Sequence, residues 1–363
     1  MQGGDAEASP SLLAPGGLRL IQVQPTLNCN LRCLHCYSES GPGKTRALPV
    51  MLLHEFLREA RALGYGYVGL SGGEPLLWAG CVPFLQGAHE LGFSTAVVTN
   101  GTLLNPARAR ELKKWAGVVA VSVDGPPAEH DAMRASASAF SRLLKGLAVL
   151  RAEGVRFVLV FTLTRTNADR LAWVYEFAEE VGAFGVEIHP LCNFGAAVVN
   201  LPGHIPDSLE FRAAAWLLAL LSAQRGDGGP AIVMDVFRRE AVEASAWPLL
   251  PGRERSPAAT RFSDLVPSLI VEPDGCVTPF VYGFPRDWAV GVLGRQPLAD
   301  AAATWQARCA ESAATVVRET LASLANEDED YIDLFGQMLA TAQRSRTPGS
   351  STRARPAALA GKA

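Results

Sequence analysis

The sequence predicts an α/β protein built on parallel strands, and two observations carry that prediction. From residue 18 to about 192, short apolar runs alternate with helical patterns in six successive units. The apolar runs end in polar or glycine-rich tips, where parallel sheets keep their ligand sites. Alternation at this spacing implies parallel strands joined by right-handed crossovers. A partial, open barrel of strand–helix units and a doubly wound sheet share this rhythm, and periodicity does not separate them.

The expected strands are Ile21–Thr26, Tyr67–Ser71, Ser94–Thr99, Val118–Asp124, Phe157–Thr164 and Gly185–Pro190. Helices are expected at Val50–Leu63, Val82–Leu91, Pro106–Trp115, Ala139–Glu153 and Asp169–Val181. Pro106 directly after Asn105 reads as a helix start with its cap. After Leu191 the rhythm breaks. A helix at Asp207–Ala223, a strand at Ala231–Phe237 and a short helix at Arg238–Ala246 lead into a Pro- and Arg-rich connector, Trp247–Ala258. Two strand-like runs between Ser268 and Tyr282, about Pro273-Asp274-Gly275, read as a hairpin from their turn chemistry. Helices at Leu298–Cys309 and Ala313–Leu339 close the expected fold. Four segments follow: an arm at 1–17, a core at 18–200, an extension at 201–342 and a Ser/Arg/Pro/Ala-rich tail at 343–363 read as disordered.

Composition narrows the class. The 363 residues are 48% hydrophobic and 19% charged, ordinary for a globular protein with a large core. A net charge of −3 and a pI near 6.1 give no support to nucleic-acid binding. The longest apolar run, Ala213–Leu221, is too short to span a bilayer, and Met1–Pro15 lacks the pattern of a secretory signal. Seven cysteines, three of them clustered, fit a reducing compartment with a metal site better than a disulfide scaffold, so a cytoplasmic location is expected.

The clustered cysteines lie in Cys29-Asn30-Leu31-Arg32-Cys33-Leu34-His35-Cys36-Tyr37, directly after the first strand. Thiolates at this C-x3-C-x2-C spacing can wrap three corners of a 4Fe–4S cluster. Ferredoxin-type runs bring four, and here the next cysteine is Cys81. Three ligands leave one iron open to a small molecule, as catalytic metal sites keep a free position. A zinc site or three buried thiols are the alternatives. Zinc wants a fourth ligand, and His35 is poorly placed between Cys33 and Cys36.

The spacing, with the aromatic His35 before the last cysteine, resembles the signature of the radical S-adenosylmethionine (radical SAM) superfamily. That resemblance implies a partial (β/α)6 TIM-like barrel with one 4Fe–4S cluster on Cys29, Cys33 and Cys36. It implies S-adenosylmethionine (SAM) chelated at the open iron and cleaved to a 5′-deoxyadenosyl radical that abstracts a hydrogen atom from substrate. Reduction calls for a donor such as flavodoxin or ferredoxin. Ser71-Gly72-Gly73-Glu74-Pro75 is similar to the GGEP motif that holds the amino group of SAM, and its two glycines let backbone approach a ligand. Further cofactor contacts are expected from His35 and Tyr37 in the loop, Asn100 at the third strand tip, Ser122 at the fourth, Arg134 for the carboxylate of SAM, and Ile188 with Val186 on the adenine face. Asp124, Thr162, His189 and Cys192 are expected on the substrate side, with Cys192 a candidate hydrogen-atom donor.

The run from Ile270 to Phe280 resembles the hairpin of the SPASM or Twitch extension that holds auxiliary clusters in many relatives. Phe280 stands where a ligand cysteine is usual, and Cys192, Cys276 and Cys309 are too few for a further four-thiolate cluster. One cluster and an extension without metal are therefore expected. The expected activity is modification of a peptide or natural product, of maturase, epimerase, dehydrogenase or dehydratase type. A separate peptide-recognition protein is a possible partner, and a non-catalytic iron–sulfur scaffold is the alternative.

Overall fold

The computed structural model describes residues 19–225, 228–245, 247–252, 260–324 and 330–344. The arm at 1–17 and nearly all of the tail expected at 343–363 lie outside them.

The first half is a run of strand–helix units. These are β1 (Arg19–Val23), α1 (Val50–Ala62), β2 (Tyr65–Leu70), α2 (Cys81–Glu90), β3 (Ser94–Thr99), α3 (Pro106–Trp115) and β4 (Val118–Val123). Then come α4 (Pro127–Met133), α5 (Ala139–Ala152), β5 (Phe157–Leu163), α6 (Leu171–Val181) and β6 (Gly185–Pro190). Asn105 caps α3 by accepting from Arg108 N at 3.0 Å, as the Asn-Pro pair predicts. The short α4 is absent from the sequence reading; seven residues give too little periodicity to find it.

The second half comprises α7 (Ala197–Asn200), α8 (Ser208–Arg225), β7 (Ala231–Met234), β8 (Phe237–Arg238), α9 (Arg239–Ala244), α10 (Phe262–Leu265), β9 (Ser268–Val271), β10 (Cys276–Pro279), β11 (Gly291–Val292), α11 (Leu298–Leu324), β12 (Tyr331–Ile332) and α12 (Leu334–Arg344). Two expectations fail here. The break expected between Cys309 and Ala313 does not occur, because Ala310-Glu-Ser carries no helix breaker and α11 runs through it. The single helix expected over Ala313–Leu339 is instead divided by β12, after which Asp333 caps α12 through Gly336 N at 2.9 Å.

Strand order resolves the choice that periodicity left open. The main sheet runs β11-β10-β9-β1-β2-β3-β4-β5-β6-β7, with β1 to β7 in sequence order and each pair parallel. A doubly wound sheet reverses its order midway and places helices on both faces. An unreversed order puts every crossover on one face and leaves the other concave, which is an open, partial barrel. The hairpin β9–β10 joins this sheet, with β9 parallel to β1, so the sheet has no break at the expected core–extension boundary.

Strand parity sorts the side chains. Val68, Leu70, Val97, Val119, Val121, Phe157, Leu159, Phe161, Val186 and Ile188 pack against the helices in the main hydrophobic cluster. Tyr67, Ala96, Val118, Ala120, Val158 and Val160 form a separate cluster on the concave face. Above it the interior positions turn polar toward the carboxyl ends, and these build the site.

In the extension, Phe280 is 3% exposed and takes a left-handed φ of 68°. Its ring packs against Trp247, Phe284, Trp305 and Phe335 at centroid distances of 5.2–6.4 Å. Where the resemblance would set a cluster ligand, this chain has an aromatic core.

Candidate active site at the carboxyl ends of the strands

The loop after β1 is held at both ends by backbone. Cys29 N donates to Gly41 O at 3.2 Å, Leu34 N to Met133 O at 2.9 Å, and Ala196 N to Cys36 O at 2.9 Å. N–H groups face each thiol or its rim, two from side chains and one from backbone. Asn100 Nδ2 stands 3.9 Å from Cys29 Sγ, Arg134 Nη1 3.7 Å from Cys33 Sγ, and Ser40 N 3.3 Å from Cys36 Sγ. All three thiols are free. Burial pushes the Cys29 thiol up to about 11 and raises that of Cys33, although the Arg134 charge opposes the second shift. Thiols in such a setting become ligands when a metal displaces their protons.

The donor set fits a cluster held by three thiolates, each with an N–H group nearby to tune the sulfur. A single zinc ion would draw its thiolates to about 2.3 Å from one point. Among the described residues no three His, Cys, Asp or Glu side chains are arranged to hold one ion. Two buried polar atoms beside the loop, His35 Nδ1 and Gln24 Oε1, have no hydrogen-bond partner among the described residues.

The loop after β2 presses against the cysteine loop. Gly73 N donates to Thr26 O and Glu74 N to Asn28 O, both at 2.8 Å. Gly72 has φ +105°, and a Cβ at Gly73 would lie 2.1 Å from Asn28 O, so both positions require glycine. Glu74 is fully buried, ahead of the buried Pro75. Its Oε1 accepts from Thr99 Oγ1 at 2.7 Å and Leu76 N at 3.1 Å, and its Oε2 from Asn100 N at 2.9 Å. Burial raises its pKa against these hydrogen bonds. The Glu74 carboxylate therefore clamps the loop after β2 to the end of β3.

Asp124, at the tip of β4, is the electrostatic hub. His35 Nε2 lies 3.0 Å from its Oδ1, Arg134 Nε donates to its Oδ2, and its own N–H donates to His130 Nδ1 at 3.2 Å. Burial opposes ionisation, but the charges of Arg134 and His35 outweigh it and hold the Asp124 carboxyl well below the usual range. Burial and the Arg134 charge push His130 down to about 4, so it is a neutral core histidine. Asp124, read as facing substrate, is thus enclosed by His35, His130 and Arg134. Arg134, read as meeting the carboxylate of SAM, is paired with Asp124 and Cys33.

The remaining residues divide. Tyr37 accepts from Gln24 Nε2 at 3.2 Å and packs edge-on to Tyr282, 5.1 Å between centroids. Ser122 is half-buried on the concave face, and Thr162 shares its register with His189 there. The Ile188 expectation is corrected. Ile188 shares its register with Phe161 and lies on the helix-facing side, since odd and even strand positions point oppositely. Its neighbours Glu187 and His189 are the ones that face the interior.

Beyond the sequence reading, Asp235 and Asp333 join His189 and Cys192. His189 Nδ1 is 3.0 Å from Asp235 Oδ2. Asp235 follows β7, where parallel strands place site residues, but a strand expected as far as Phe237 hides that end in the sequence. Asp333 had no such signal, because only the tertiary fold brings the β12–α12 corner here.

The sequence pattern that defines the radical SAM superfamily matches residues 23–178. The chain is 34% identical over 185 residues to the AdoMet-dependent heme synthase of Methanosarcina barkeri, covering 49% of this chain and 52% of that one. It is 30% identical over 229 residues to the PqqA peptide cyclase of Ruegeria pomeroyi, covering 61% and 59%. It spans about half to three-fifths of the length of these relatives. Among solved structures, Streptococcus suis SuiB bound to precursor peptide SuiA superposes with a TM-score of 0.63 at 14% identity, over 81% of this chain and 66% of that one, which is a likeness of fold.

Proposed function

This chain carries a domain of the radical SAM superfamily, residues 23–178, and on that premise we propose that it is an enzyme modifying a peptide or natural product. When bound, the superfamily's 4Fe–4S cluster and SAM supply a reductive cleavage to a 5′-deoxyadenosyl radical that takes a hydrogen atom from substrate. Cys29, Cys33 and Cys36 would hold the cluster.

The observation that carries this reading is the contact of two loops. The free thiols after β1 lie against the glycine backbone after β2, with Glu74 locking that backbone to Thr99 and Asn100. Such a wall would offer backbone C=O groups to the amino end of SAM. Arg134 holds positive charge beside Cys33, offsetting the charge of a thiolate-bound cluster. The concave face above Ala120 and Val160 supplies a dry floor, which limits side reactions of a radical with water. The peptide reading is supported by the likeness to the PqqA peptide cyclase of Ruegeria pomeroyi; maturase, epimerase, dehydrogenase and dehydratase chemistry all stay within it. A low-potential donor such as flavodoxin or ferredoxin and a separate peptide-recognition protein are the proposed partners, in the cytoplasm. No helix among the described residues is long and apolar enough to cross a membrane.

The test is anaerobic reconstitution followed by iron and sulfide counts and reductant-dependent SAM cleavage. About four irons per chain, lost in the Cys29→Ala/Cys33→Ala/Cys36→Ala variant, with release of 5′-deoxyadenosine, is the expected result. Iron without SAM cleavage, even with candidate substrates, would instead favour a non-catalytic scaffold.

A further inference from the structure

The three cysteine sulfurs do not have the same kind of neighbour. The hydrogen-bond partners of Cys29 and Cys36 are neutral: the Asn100 amide at 3.9 Å for the first, Ser40 N and Ser38 Oγ at 3.3 and 3.5 Å for the second. Cys33 Sγ faces the Arg134 guanidinium, with Nη1 at 3.7 Å. Arg134 is 7% exposed, so its charge acts through protein more than through water.

The guanidinium is held from two directions. Its Nε donates to Asp124 Oδ2 while Nη1 is directed at the sulfur. Asp124 is itself fixed, by His35 Nε2 at 3.0 Å from Oδ1 and by its own N–H, which donates to His130 Nδ1 at 3.2 Å. Backbone repeats the tie: Leu34 N donates to Met133 O and Arg134 N to His130 O, both at 2.9 Å. The planar fork of an arginine serves a carboxylate and a sulfur at once, which the point charge of a lysine does not.

The two charges of the pair do not cancel at the sulfur. Burial raises the Cys33 thiol, the Arg134 charge opposes that rise, and the Asp124 charge adds to it by less than Arg134 removes. Cys33 therefore feels a net positive field from a pair whose total charge is zero. The potential of an iron–sulfur cluster follows its net charge, the hydrogen bonds to its sulfurs and its exposure to solvent. A cationic N–H on one sulfur favours the form that carries the extra electron.

We propose that Arg134, through its contact with Cys33, raises the reduction potential of a cluster held by Cys29, Cys33 and Cys36, and that Asp124 is the positioning residue that aims it. The proposal rests on the function proposed above, in which the cluster accepts one electron from an outside donor. It gives Arg134 a task that does not involve SAM.

The test is an anaerobic redox titration of the reconstituted full chain, followed by the electron paramagnetic resonance signal of the reduced cluster, with no SAM added. Without SAM, a contact between Arg134 and its carboxylate cannot enter the result. Arg134→Lys keeps the charge and loses the fork. The double variant Arg134→Gln/Asp124→Asn keeps the total charge of the pair and leaves each side chain able to hydrogen-bond the other, so neither buried group is stranded. In both, the cluster is expected to be about tenfold harder to reduce, a midpoint about 59 mV below that of wild type. A midpoint is read on whichever chains hold a cluster, so partial loading does not obscure it. An unchanged or raised midpoint in either variant would overturn the proposal. So would folded variants that take up no iron, which would assign the pair to cluster assembly. Asp124→Glu keeps the carboxylate charge and displaces it, and the midpoint is expected to fall there too; an unchanged value would remove Asp124 from the positioning role. Release of 5′-deoxyadenosine by the same wild-type preparation, once SAM is added, reports separately on the function, and its absence would leave the midpoint result standing.

Discussion

Arg134 Nη1 stands 3.7 Å from Cys33 Sγ while the same guanidinium is ion-paired to the buried Asp124. One side chain thereby couples the second cysteine to the tip of β4. Removing it strands a carboxylate that is 4% exposed. Arg134→Met is expected to lower the stability of the apo protein by about 3–5 kcal/mol, and the double variant with Asp124→Asn to recover part of that loss. Urea unfolding measures both. A single-variant loss under about 1 kcal/mol would mean the pair is hydrated and adds little.

Glu74 has no oxygen to spare. Glu74→Gln would turn an amide N–H toward a backbone donor, either the Leu76 or the Asn100 N–H. A loss of about 1–3 kcal/mol follows from one unmatched buried group. Because the clamp holds the glycine backbone, SAM affinity is expected to fall with it. Equilibrium dialysis with labelled SAM checks this, and unchanged affinity alongside lost stability would confine Glu74 to a purely structural role.

Local chemistry was legible where neighbours in sequence are neighbours in space. Asn105-Pro106 announced α3, and the cysteine and glycine loops fell where strand periodicity placed them. What depended on the third dimension was not legible. Ile188 reads from the sequence as a cofactor contact because apolar residues suit both faces of a parallel strand, and only the register with Phe161 shows which face it takes. Asp333 sits at a two-residue strand and a helix cap, features too short to carry a periodic signal. The attachment of β9 beside β1 is likewise a long-range pairing with no local mark.

His189 gives the protein a signed pH dependence. Its folded value, raised to about 9 by Asp235, Glu187 and Asp333 against the effect of burial, exceeds the ordinary 6.5. Stability from the imidazolium is therefore fully present below pH 6.5 and is lost as pH rises toward 9. With a third of the side chain exposed, solvent screening reduces the contribution to about 1–2 kcal/mol. The stability difference between wild type and His189→Gln, read by urea midpoint, should shrink over that interval. A difference independent of pH would show that His189 is not protonated in the fold.

Phe280 fills the position that the extension's resemblance would give to a ligand, and four aromatic rings surround it. Truncating such a ring leaves a cavity, so Phe280→Ala is expected to cost about 3–5 kcal/mol. Iron content after reconstitution should stay the same per folded chain, because the rings that pack on Phe280 (Trp247, Phe284, Trp305 and Phe335) lie outside the cysteine loop. Iron lost in proportion beyond unfolding would tie the aromatic core to the cluster site instead.

Gly73 sets the distance between the two loops. A Cβ there would meet Asn28 O at 2.1 Å, and Asn28 directly precedes Cys29. Backbone cannot yield as a flexible side chain can, so Gly73→Ala must push the loops apart, with an overpacking cost of about 1–3 kcal/mol. The displaced thiol should bind iron poorly, and the fraction of chains that hold a full cluster is expected to drop well below that of wild type. Gly228→Ala, where nothing lies within 4 Å of the added carbon, is the matched control. If Gly73→Ala reconstitutes as fully as that control, the contact between the two loops does not govern how the cysteines meet their metal. The thiols would then find their geometry from the cluster itself rather than from the glycine wall.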